Sequence, residues 1–311
     1  MKEKRILFMG TPEFSVRVLE KLIENTNVVG VVCQPDKEVG RKKILTKCPV
    51  KAVAEQNNIK VFQPYKLKEE YESILVVNPD VIITCAYGQM LNEEFLNYPK
   101  YKTINVHASI LPKLRGGAPI ERAIMEGYEE TGITIMRTDK GMDSGDIITS
   151  KSIIIEDTDT KESLSNKLSI LGADLLIETL PSIFNETCSY IKQNHNEKTI
   201  ARIITKEDEY LSFDDIKKNI YNKVRALYPE PACYAILDNE RIKIYETEIG
   251  SNMCGDNGKI IEIYDNGIGV SCKDGEIIIK KLQVAGKKVM TAREYLNGVN
   301  KDNLLGKVFN K

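Results

Sequence analysis

The sequence lacks tryptophan, has only two histidines, and shows no excess of charge of either sign over its 311 residues. Lys and Arg number 44 against 45 Asp and Glu, which gives a formal net charge of −1. This balance excludes a protein that is basic overall, so a nucleic acid would have to bind at a local basic patch. No apolar stretch approaches the ~20 residues that a helix needs to span a bilayer. A membrane protein is therefore not expected.

Ordered cysteine motifs are also missing. The seven cysteines include no C-x-x-C and no pair at metal-ligand spacing: they are Cys33, Cys48, Cys85, Cys188, Cys233, Cys254 and Cys272. An odd number without a pattern is typical of reduced cytoplasmic thiols, and not of a disulfide framework or a zinc site. The chain begins with basic residues, but the short apolar run after them predicts a β-strand and not a signal peptide. We therefore expect a cytoplasmic monomer that needs no metal.

The length predicts two domains, because 311 residues are about twice the usual size of one. Over the first ~190 residues, near-continuous apolar strands alternate with helical patterns. This alternation indicates an α/β fold with a Rossmann-like, mostly parallel sheet and helices on both faces. The later residues form short apolar runs separated by Asn-Gly and Asp-Gly turns, which favour a small OB-like β-barrel. The expected boundaries are a first domain at 1–190, a polar surface linker at 191–205 and the barrel at 206–311.

Apolar periodicity also places the individual elements. The strands predicted in the first domain are Arg5–Met9, Val28–Cys33, Val81–Cys85, Thr103–His107, Ile133–Arg137 and Ile147–Ile155. Helices are predicted around Phe14–Leu22, at Ile120–Glu126 and at Ser163–Leu180. In the second domain a helix at Asp214–Ala226 precedes strands at Tyr234–Leu237, Ile242–Glu248, Ile260–Tyr264, Gly269–Cys272 and Ile277–Val284.

One predicted strand carries a carboxamide and an imidazole on the same face. Asn105 and His107 are two residues apart, so their side chains point to the same side of the strand. Both could reach one carbonyl oxygen at the carboxyl end of the sheet. Acyl transfer uses such donors where an oxyanion develops, with a group that titrates near neutral pH. The second histidine, His195, lies in a polar stretch and is expected to be solvated, which leaves His107 as the candidate.

A carboxylate in a tight turn is the third candidate. Asp143 lies between Gly141 and Gly145, whose spacing indicates a turn that holds the carboxylate rigidly. Such a group near an imidazole would orient the ring and support its charged form. Taken alone, Asn-x-His is a weak signal and Gly-x-Asp-x-Gly is an ordinary turn.

Longer strings around these residues resemble a known family. N-V-H-A-S-I-L-P-x-x-R-G and G-I-T-I-M-R-T-D-K-G-M-D-S-G-D-I are similar to the 10-formyltetrahydrofolate-dependent formyltransferases. The resemblance implies that Asn105, His107 and Asp143 are catalytic and that 10-formyltetrahydrofolate is the donor, without a metal. It also implies a folate site at Ala86, Tyr87, Gly88, Ser109, Ile110, Leu111 and Pro112.

The acceptor is expected to be initiator methionyl-tRNA. The opening F-M-G-T-P-E-F-S is similar to family members that act on this tRNA or on amino-sugar nucleotides, and differs from those that act on glycinamide ribonucleotide. Residues 36–51 have six basic and two acidic side chains, a net of +4, in a stretch expected to be irregular. This stretch resembles the tRNA-binding loop of the first group, with Arg41 matching its important arginine and Lys42 and Lys43 beside it. A solvated basic loop is the alternative for these residues taken alone.

The second domain resembles the same group of enzymes at Arg225–Ala232, with one departure. Glu230 stands where the family usually has a tryptophan between two prolines, which puts a packing contact in doubt but not the chemistry. OB-like folds often bind nucleic acid. The basic residues expected to contact tRNA here are Lys280, Lys281, Lys287, Lys288 and Arg293.

Three other functions are weighed against formyl transfer to tRNA for translation initiation. A nicotinamide oxidoreductase would use a similar sheet, but no G-x-G-x-x-G follows the first strand. A non-catalytic RNA-binding protein would explain the basic residues but not the Asn-His-Asp set. The remaining alternative is an amino-sugar nucleotide N-formyltransferase, against which the basic stretch argues.

Overall fold

The computed structural model describes residues 1–40 and 42–309, which form two compact units. Unit 1 comprises Met1–Pro119, Glu130–Ile154 and Ser165–Arg202. Unit 2 comprises Ile120–Glu129, Ile155–Leu164 and the described residues from Ile203 onwards.

Unit 1 is built on a seven-stranded mixed sheet of order β5-β2-β1-β6-β7-β8-β9. The first five of these strands are parallel, while β8 runs antiparallel to both of its neighbours. The described strands of unit 1 are these seven and two more, β3 and β4, which pair separately. In chain order they are β1 Arg5–Gly10, β2 Asn27–Val32, β3 Lys37–Val39, β4 Ile44–Thr46, β5 Val61–Phe62, β6 Val81–Cys85, β7 Thr103–His107, β8 Glu130–Arg137 and β9 Ile147–Ile154. The mostly parallel Rossmann-like sheet predicted from the sequence is confirmed.

Six α-helices alternate with these strands along the described chain, although α5 and the start of α6 belong to unit 2. They are α1 Val16–Asn25, α2 Pro49–Gln56, α3 Leu67–Leu75, α4 Glu93–Asn97, α5 Pro119–Met125 and α6 Lys161–Phe184. In β6 all five residues are buried, as expected for a parallel strand with both faces covered. Helix α1 buries Val16, Val18, Leu19 and Leu22, which recur at helical spacing.

The basic stretch after β2 is not irregular, and that prediction is wrong. Strands β3 and β4 form an antiparallel hairpin, in which Lys37 pairs with Thr46. Gly40 lies in the turn with a φ of 72°, a left-handed conformation that glycine adopts without steric cost. This hairpin is not part of the seven-stranded sheet, because among the described strands β3 and β4 pair with each other alone.

Unit 2 contains an antiparallel sheet of order β10-β11-β14-β13-β12, to which β15 adds beside β14. The strands are β10 Cys233–Leu237, β11 Glu240–Ile249, β12 Ile260–Tyr264, β13 Gly267–Cys272, β14 Gly275–Val284 and β15 Met290–Thr291. The helices are α7 Lys206–Glu209, α8 Lys217–Ala226, α9 Ala292–Leu296 and α10 Lys301–Leu304. All five predicted strands are present, and Asp238-Asn239 makes the two-residue turn with φ of 51° and 64°. The barrel-like second domain is confirmed.

Unit 2 also includes two stretches from within the predicted first domain, Ile120–Glu129 and Ile155–Leu164. The guanidinium of Arg225, buried in α8, donates to the backbone oxygens of Glu156 and Asp159, at 3.0 and 2.8 Å. The units thus differ from the expected domains at 120–129 and 155–164. At the unusual Glu230, the side chain is exposed and the backbone oxygen accepts from Lys161.

No helix in the described part of the chain is both long and apolar enough to cross a membrane. Among the same residues, no group of three or more His, Cys, Asp or Glu side chains is arranged to hold a metal ion. The seven cysteines are free thiols.

Candidate active site

Asn105 lies in β7, beside the end of the neighbouring strand β6. Its register partner Thr84 donates a hydroxyl hydrogen bond to Asn105 Oδ1 at 2.9 Å. This bond turns the amide nitrogen the other way, and Nδ2 lies 3.4 Å from Oδ1 of Asp143. The amide therefore presents its N–H groups on the side where the carboxylate lies.

His107 ends the same strand and is 6% exposed. Its Nε2 lies 3.0 Å from the backbone oxygen of Leu114. Because a carbonyl oxygen can only accept, we assign the proton to Nε2 in this arrangement. Nδ1 faces Oδ2 of Asp143 at 3.7 Å, which is too long for a direct hydrogen bond. The ring is thus fixed at one nitrogen and leaves the other facing the carboxylate.

Asp143 joins these two residues from the loop between β8 and β9. Its Oδ2 accepts from the backbone N–H of Gly116 at 2.8 Å, and its side chain is 20% exposed. Its backbone has a φ of 44°, in the left-handed region that residues with a Cβ rarely occupy. The structure therefore brings together the three residues that the sequence singled out.

The loop that carries Asp143 folds tightly around its two glycines. Asp139 Oδ1 accepts from the Gly141 backbone N–H at 2.9 Å and from the Ser144 hydroxyl at 2.8 Å. A Cβ at Gly145 would lie 1.9 Å from the backbone oxygen of Arg137. Only glycine fits at this position.

An amide N–H, an imidazole and a carboxylate at one sheet edge have a defined chemical capacity. The N–H groups can stabilise negative charge on a carbonyl oxygen, and the carboxylate can accept a proton. The site is therefore suited to an acyl transfer that proceeds through an oxyanion.

The Ala86-Tyr87-Gly88 stretch follows β6 at the same edge. Ala86 and Gly88 are exposed with φ of 49° and 90°, whereas the Tyr87 ring is buried in the core with Leu7, Met9 and Phe95. The Tyr87 hydroxyl has no hydrogen-bond partner within residues 1–40 and 42–309. Burial raises its pKa above the usual range for tyrosine. The surface of this stretch is therefore formed by Ala86 and Gly88 and not by the Tyr87 ring.

The stretch from Ser109 to Pro112 forms a packed turn after β7. Ser109 is fully buried, and its hydroxyl donates to the backbone oxygen of Lys113 at 2.7 Å. Thr134 of β8 ties the turn down, because its hydroxyl donates to Ser109 O at 2.7 Å and accepts from Leu111 N at 3.2 Å. Ile110 and Pro112 remain partly exposed. Hydrogen bonds within the turn and from β8 thus hold it in one shape.

The chain after α6 lies at the surface, but Gln193 attaches it to the loops of the site. Gln193 is 7% exposed and accepts from the Arg115 guanidinium at Oε1, at 3.0 and 2.6 Å. His195 Nδ1 lies 3.2 Å from the same guanidinium, so this histidine is held and not simply solvated. Sequence reasoning missed Gln193, and the only signal was Arg115 in the family-like string.

The basic hairpin presents a mixed surface. Arg41, its most important predicted residue, lies outside the described residues. Lys43 is 3.9 Å from Glu38, while exposed Lys42 forms no ion pair with any residue that the structure describes. At the hairpin base, hydrogen bonds from Lys51 and then Gln63 hold the pKa of the Asp36 carboxyl below its usual range.

The basic residues predicted in unit 2 lie on β14, in the turn between β14 and β15, and on α9. Lys280 is paired with Glu248 at 3.2 Å. Lys287, Lys288 and Arg293 are exposed, and none of these three pairs with an acidic residue in the described part of the chain. Lys281 is partly exposed. Four cations thus remain available on this part of unit 2.

Comparison with known proteins gives two family matches. Residues 4–180 match the model described as formyl transferase, and residues 203–300 match the formyl transferase C-terminal domain. The chain is 46% identical over 307 residues to methionyl-tRNA formyltransferases from Staphylococcus aureus strains JH1 and Mu50 / ATCC 700699. These alignments cover 97% of this chain and 98% of each relative.

Three solved structures with a similar fold are each under 25% identical to this chain. HypX from Aquifex aeolicus with tetrahydrofolic acid has a TM-score of 0.68 at 17% identity over 95% of this chain, which spans 47% of HypX. An N-formyltransferase from Helicobacter canadensis with folinic acid and dTDP-3-aminofucose has a TM-score of 0.65 at 24% identity, covering 90% and 99% of the two chains. The methionyl-tRNA formyltransferase from Clostridium thermocellum has a TM-score of 0.57 at 17% identity, covering 90% and 98%.

Proposed function

Because the chain belongs to the formyl transferase family, we propose that its sheet edge at Asn105, His107 and Asp143 transfers a formyl group from a folate to an amine. The amine is the α-amino group of methionine on initiator methionyl-tRNA, and the product serves translation initiation. One observation carries this assignment: 46% identity to methionyl-tRNA formyltransferases over nearly the whole length of both chains. A charged-tRNA acceptor favours a cytoplasmic location, and the monomeric state stays a prediction.

The donor in this proposal is 10-formyltetrahydrofolate. Two solved formyltransferase-like structures were obtained with folates, which supports a folate-derived donor. The nearest atom to a Cβ built at Gly88 is 3.9 Å away, so the exposed backbone there leaves room for a planar ligand. The turn from Ser109 to Pro112 would supply a rigid wall on the side of β7. No metal is needed, since the folate carries an activated formyl group.

Asn105 and His107 act on the formyl oxygen in the mechanism we infer. The amine of methionine attacks the formyl carbon, a new C–N bond forms, and negative charge develops on the oxygen. Asn105 Nδ2 and His107 Nδ1, protonated in the imidazolium form, donate to that oxygen, since Nε2 is already engaged by Leu114. Collapse of the intermediate breaks the carbon bond to N10 of the folate.

Asp143 moves the proton that this reaction must transfer. The attacking amine loses a proton and N10 gains one, so the net proton balance is zero. The carboxylate faces His107 Nδ1 at 3.7 Å, a gap that an oxygen atom of water or substrate can bridge. Asp143 thus supports the charged imidazole and relays the proton to the leaving group.

Arg41→Ala should weaken use of methionyl-tRNA without affecting use of the folate. The expected result is an increase of about 10-fold in KM for the tRNA, because a phosphate-binding cation is lost. Steady-state kinetics with each substrate varied in turn measures this split. The control is Lys47→Ala, whose ammonium is already paired with Glu55 at 2.7 Å. An equal defect of Arg41→Ala with a methionine ester of adenosine would show that the hairpin does not bind tRNA.

Charge reversal at Lys287 and Lys288 tests the contribution of unit 2. The double Lys→Glu variant should raise KM for methionyl-tRNA by about 10-fold and reduce the salt dependence of binding by about two ions. Titration of tRNA at several salt concentrations measures both. The matched control reverses two other exposed lysines of unit 2, Lys273 and Lys301. If both double variants weakened binding equally, the effect would come from net charge and not from this surface.

The direct test of function is transfer of labelled formyl from 10-formyltetrahydrofolate. Initiator methionyl-tRNA, uncharged tRNA and an amino-sugar nucleotide are offered in parallel. Label on methionyl-tRNA alone is expected. Label on the sugar would keep Asn105, His107 and Asp143 but overturn the acceptor, and label on none would overturn the function.

A further inference from the structure

The chain that follows α6 lies against the loops that form the active site. Ile191 exchanges two backbone hydrogen bonds with Ile147, at the start of β9, each 2.8 Å long. Further along, the backbone of Arg115 donates to Thr199 O at 2.9 Å and accepts from Ala201 N at 2.7 Å. The segment from Ile191 to Ala201, which we call the strap, is therefore attached at both ends to the two loops that meet at Asp143.

Gln193 is the strap residue with the most contacts at the site. Its Nε2 donates to the backbone oxygens of Asp143 and Gly145, at 2.9 and 2.7 Å. Its Oε1 accepts from Nε and Nη2 of Arg115, at 3.0 and 2.6 Å. The amide orientation is determined by these partners, because the two carbonyls need a donor and the guanidinium needs an acceptor.

Arg115 is well suited to hold this amide. It is 4% exposed and forms no ion pair with any described residue, so its charge is met by neutral acceptors: Gln193 and Nδ1 of His195. Two of its N–H groups converge on the single oxygen Oε1 of Gln193, and hydrogen bonds from a guanidinium are shorter and stronger than neutral ones.

Gln193 binds the backbone of Asp143, which has an unfavourable conformation. Asp143 has a φ of 44°, which is unfavourable for a side chain with a Cβ. In this conformation its carboxylate reaches Gly116, Asn105 and His107. The two hydrogen bonds from Gln193 to the carbonyl oxygens of Asp143 and Gly145 oppose relaxation of the loop.

We propose that Gln193, oriented by Arg115, is a positioning residue that keeps the Asp143 carboxylate in place for formyl transfer. The inference rests on the proposed function and extends it to the strap. A shift of about 1 Å in a reacting group can lower turnover by 10²-fold. Loss of the hydrogen bonds from Gln193 should therefore slow the chemical step and leave substrate binding largely unchanged.

Gln193→Glu and Gln193→Ala in the full-length protein test this role. Glutamate keeps the acceptor for Arg115 but has no N–H for the two carbonyls, whereas alanine loses both sets of bonds. In both variants kcat with methionyl-tRNA should fall by at least about 10-fold, with KM for tRNA and folate changed by less than about two-fold. Lys192→Ala, at the exposed neighbouring residue, is the matched control and should behave as wild type.

Hydrogen exchange of the 139–146 backbone amides supplies a readout that does not depend on activity. Both Gln193 variants should exchange there at least about 10-fold faster than wild type, because the loop opens more often. Faster exchange with unchanged kcat would show that Gln193 holds the loop without affecting catalysis, and would overturn the proposal. Unchanged exchange would overturn it as well. If the wild-type protein transferred no formyl group to methionyl-tRNA, the proposed function would fall. The exchange comparison would still decide whether Gln193 holds the loop.

Discussion

Alanine at position 105 or 107 is expected to give a folded protein whose turnover is about 10²–10³ lower, the usual cost of losing one oxyanion donor. Asn105 and His107 lie at the end of one strand and donate toward the position where the oxyanion would form. Neither side chain is part of the apolar core, but His107 is buried and bonded to Leu114 O. His107→Ala should therefore lower the melting temperature moderately, and Asn105→Ala should change it little. Single-turnover formyl transfer to methionyl-tRNA measures the loss, and a thermal melt checks the fold.

A matched control for these variants is available on the adjoining turn. Lys113 is exposed, and only its backbone oxygen contacts Ser109, so Lys113→Ala should retain wild-type turnover. Asp143→Asn keeps an acceptor for the Gly116 N–H but loses the negative charge beside His107. It should be as slow as the other two. Wild-type turnover in any of the three variants would remove that residue from the mechanism.

Gly145→Ala is expected to lower kcat as much as the loss of a catalytic side chain does, although glycine contributes no side chain to the site. The new methyl group would lie 1.9 Å from the backbone oxygen of Arg137, and a backbone atom of β8 cannot turn away as a side chain can. The loop must shift, and the Asp143 carboxylate shifts with it. We expect kcat to fall by about 10²-fold, measured with the same transfer assay.

Gly141→Ala is the paired control, because it adds the same methyl group to the same loop. Its Cβ would meet the Ser144 hydroxyl at 2.1 Å, and this side chain can rotate to another position at the surface. The cost is the exposed hydrogen bond to Asp139, typically about 1 kcal/mol or less. Equal losses in the two variants would show that the loop tolerates no added volume, and would not support the specific clash at Gly145.

The sequence predicted the central strands well, because their apolar runs are continuous and end sharply. Strands β6 and β7 have the predicted boundaries, while β8 begins three residues earlier, at Glu130 and not Ile133. Its polar start, Glu130-Thr131-Gly132, does not continue the apolar run. The short strands β3 and β4 carry no such run, and their pairing depends on a turn whose geometry Gly40 permits.

The site could be predicted only as a set of residue types. Asn105 and His107 follow from a spacing of two, which is local information. The approach of Asp143 depends on contacts across the fold, such as the hydrogen bond from Gly116, 27 residues earlier in the chain. The role of Gln193 is less accessible still, because an isolated glutamine in a polar stretch has no periodic signal. The burial of Tyr87 likewise depends on the packing around it and not on the Ala-Tyr-Gly string.

Unit 2 is assembled from three separate stretches of the chain, and this limits where the gene could be recombined. A genetic crossover between α6 and α7 would replace one residue of several contacting pairs and leave its partner unchanged. Arg225 would come from one parent, while Glu156 and Asp159, which accept its hydrogen bonds, would come from the other. Arg122 and Asp208, 2.7 Å apart, would be parted in the same way. A chimaera that also carries 120–129 and 155–164 with the downstream sequence would inherit each pair from a single ancestor.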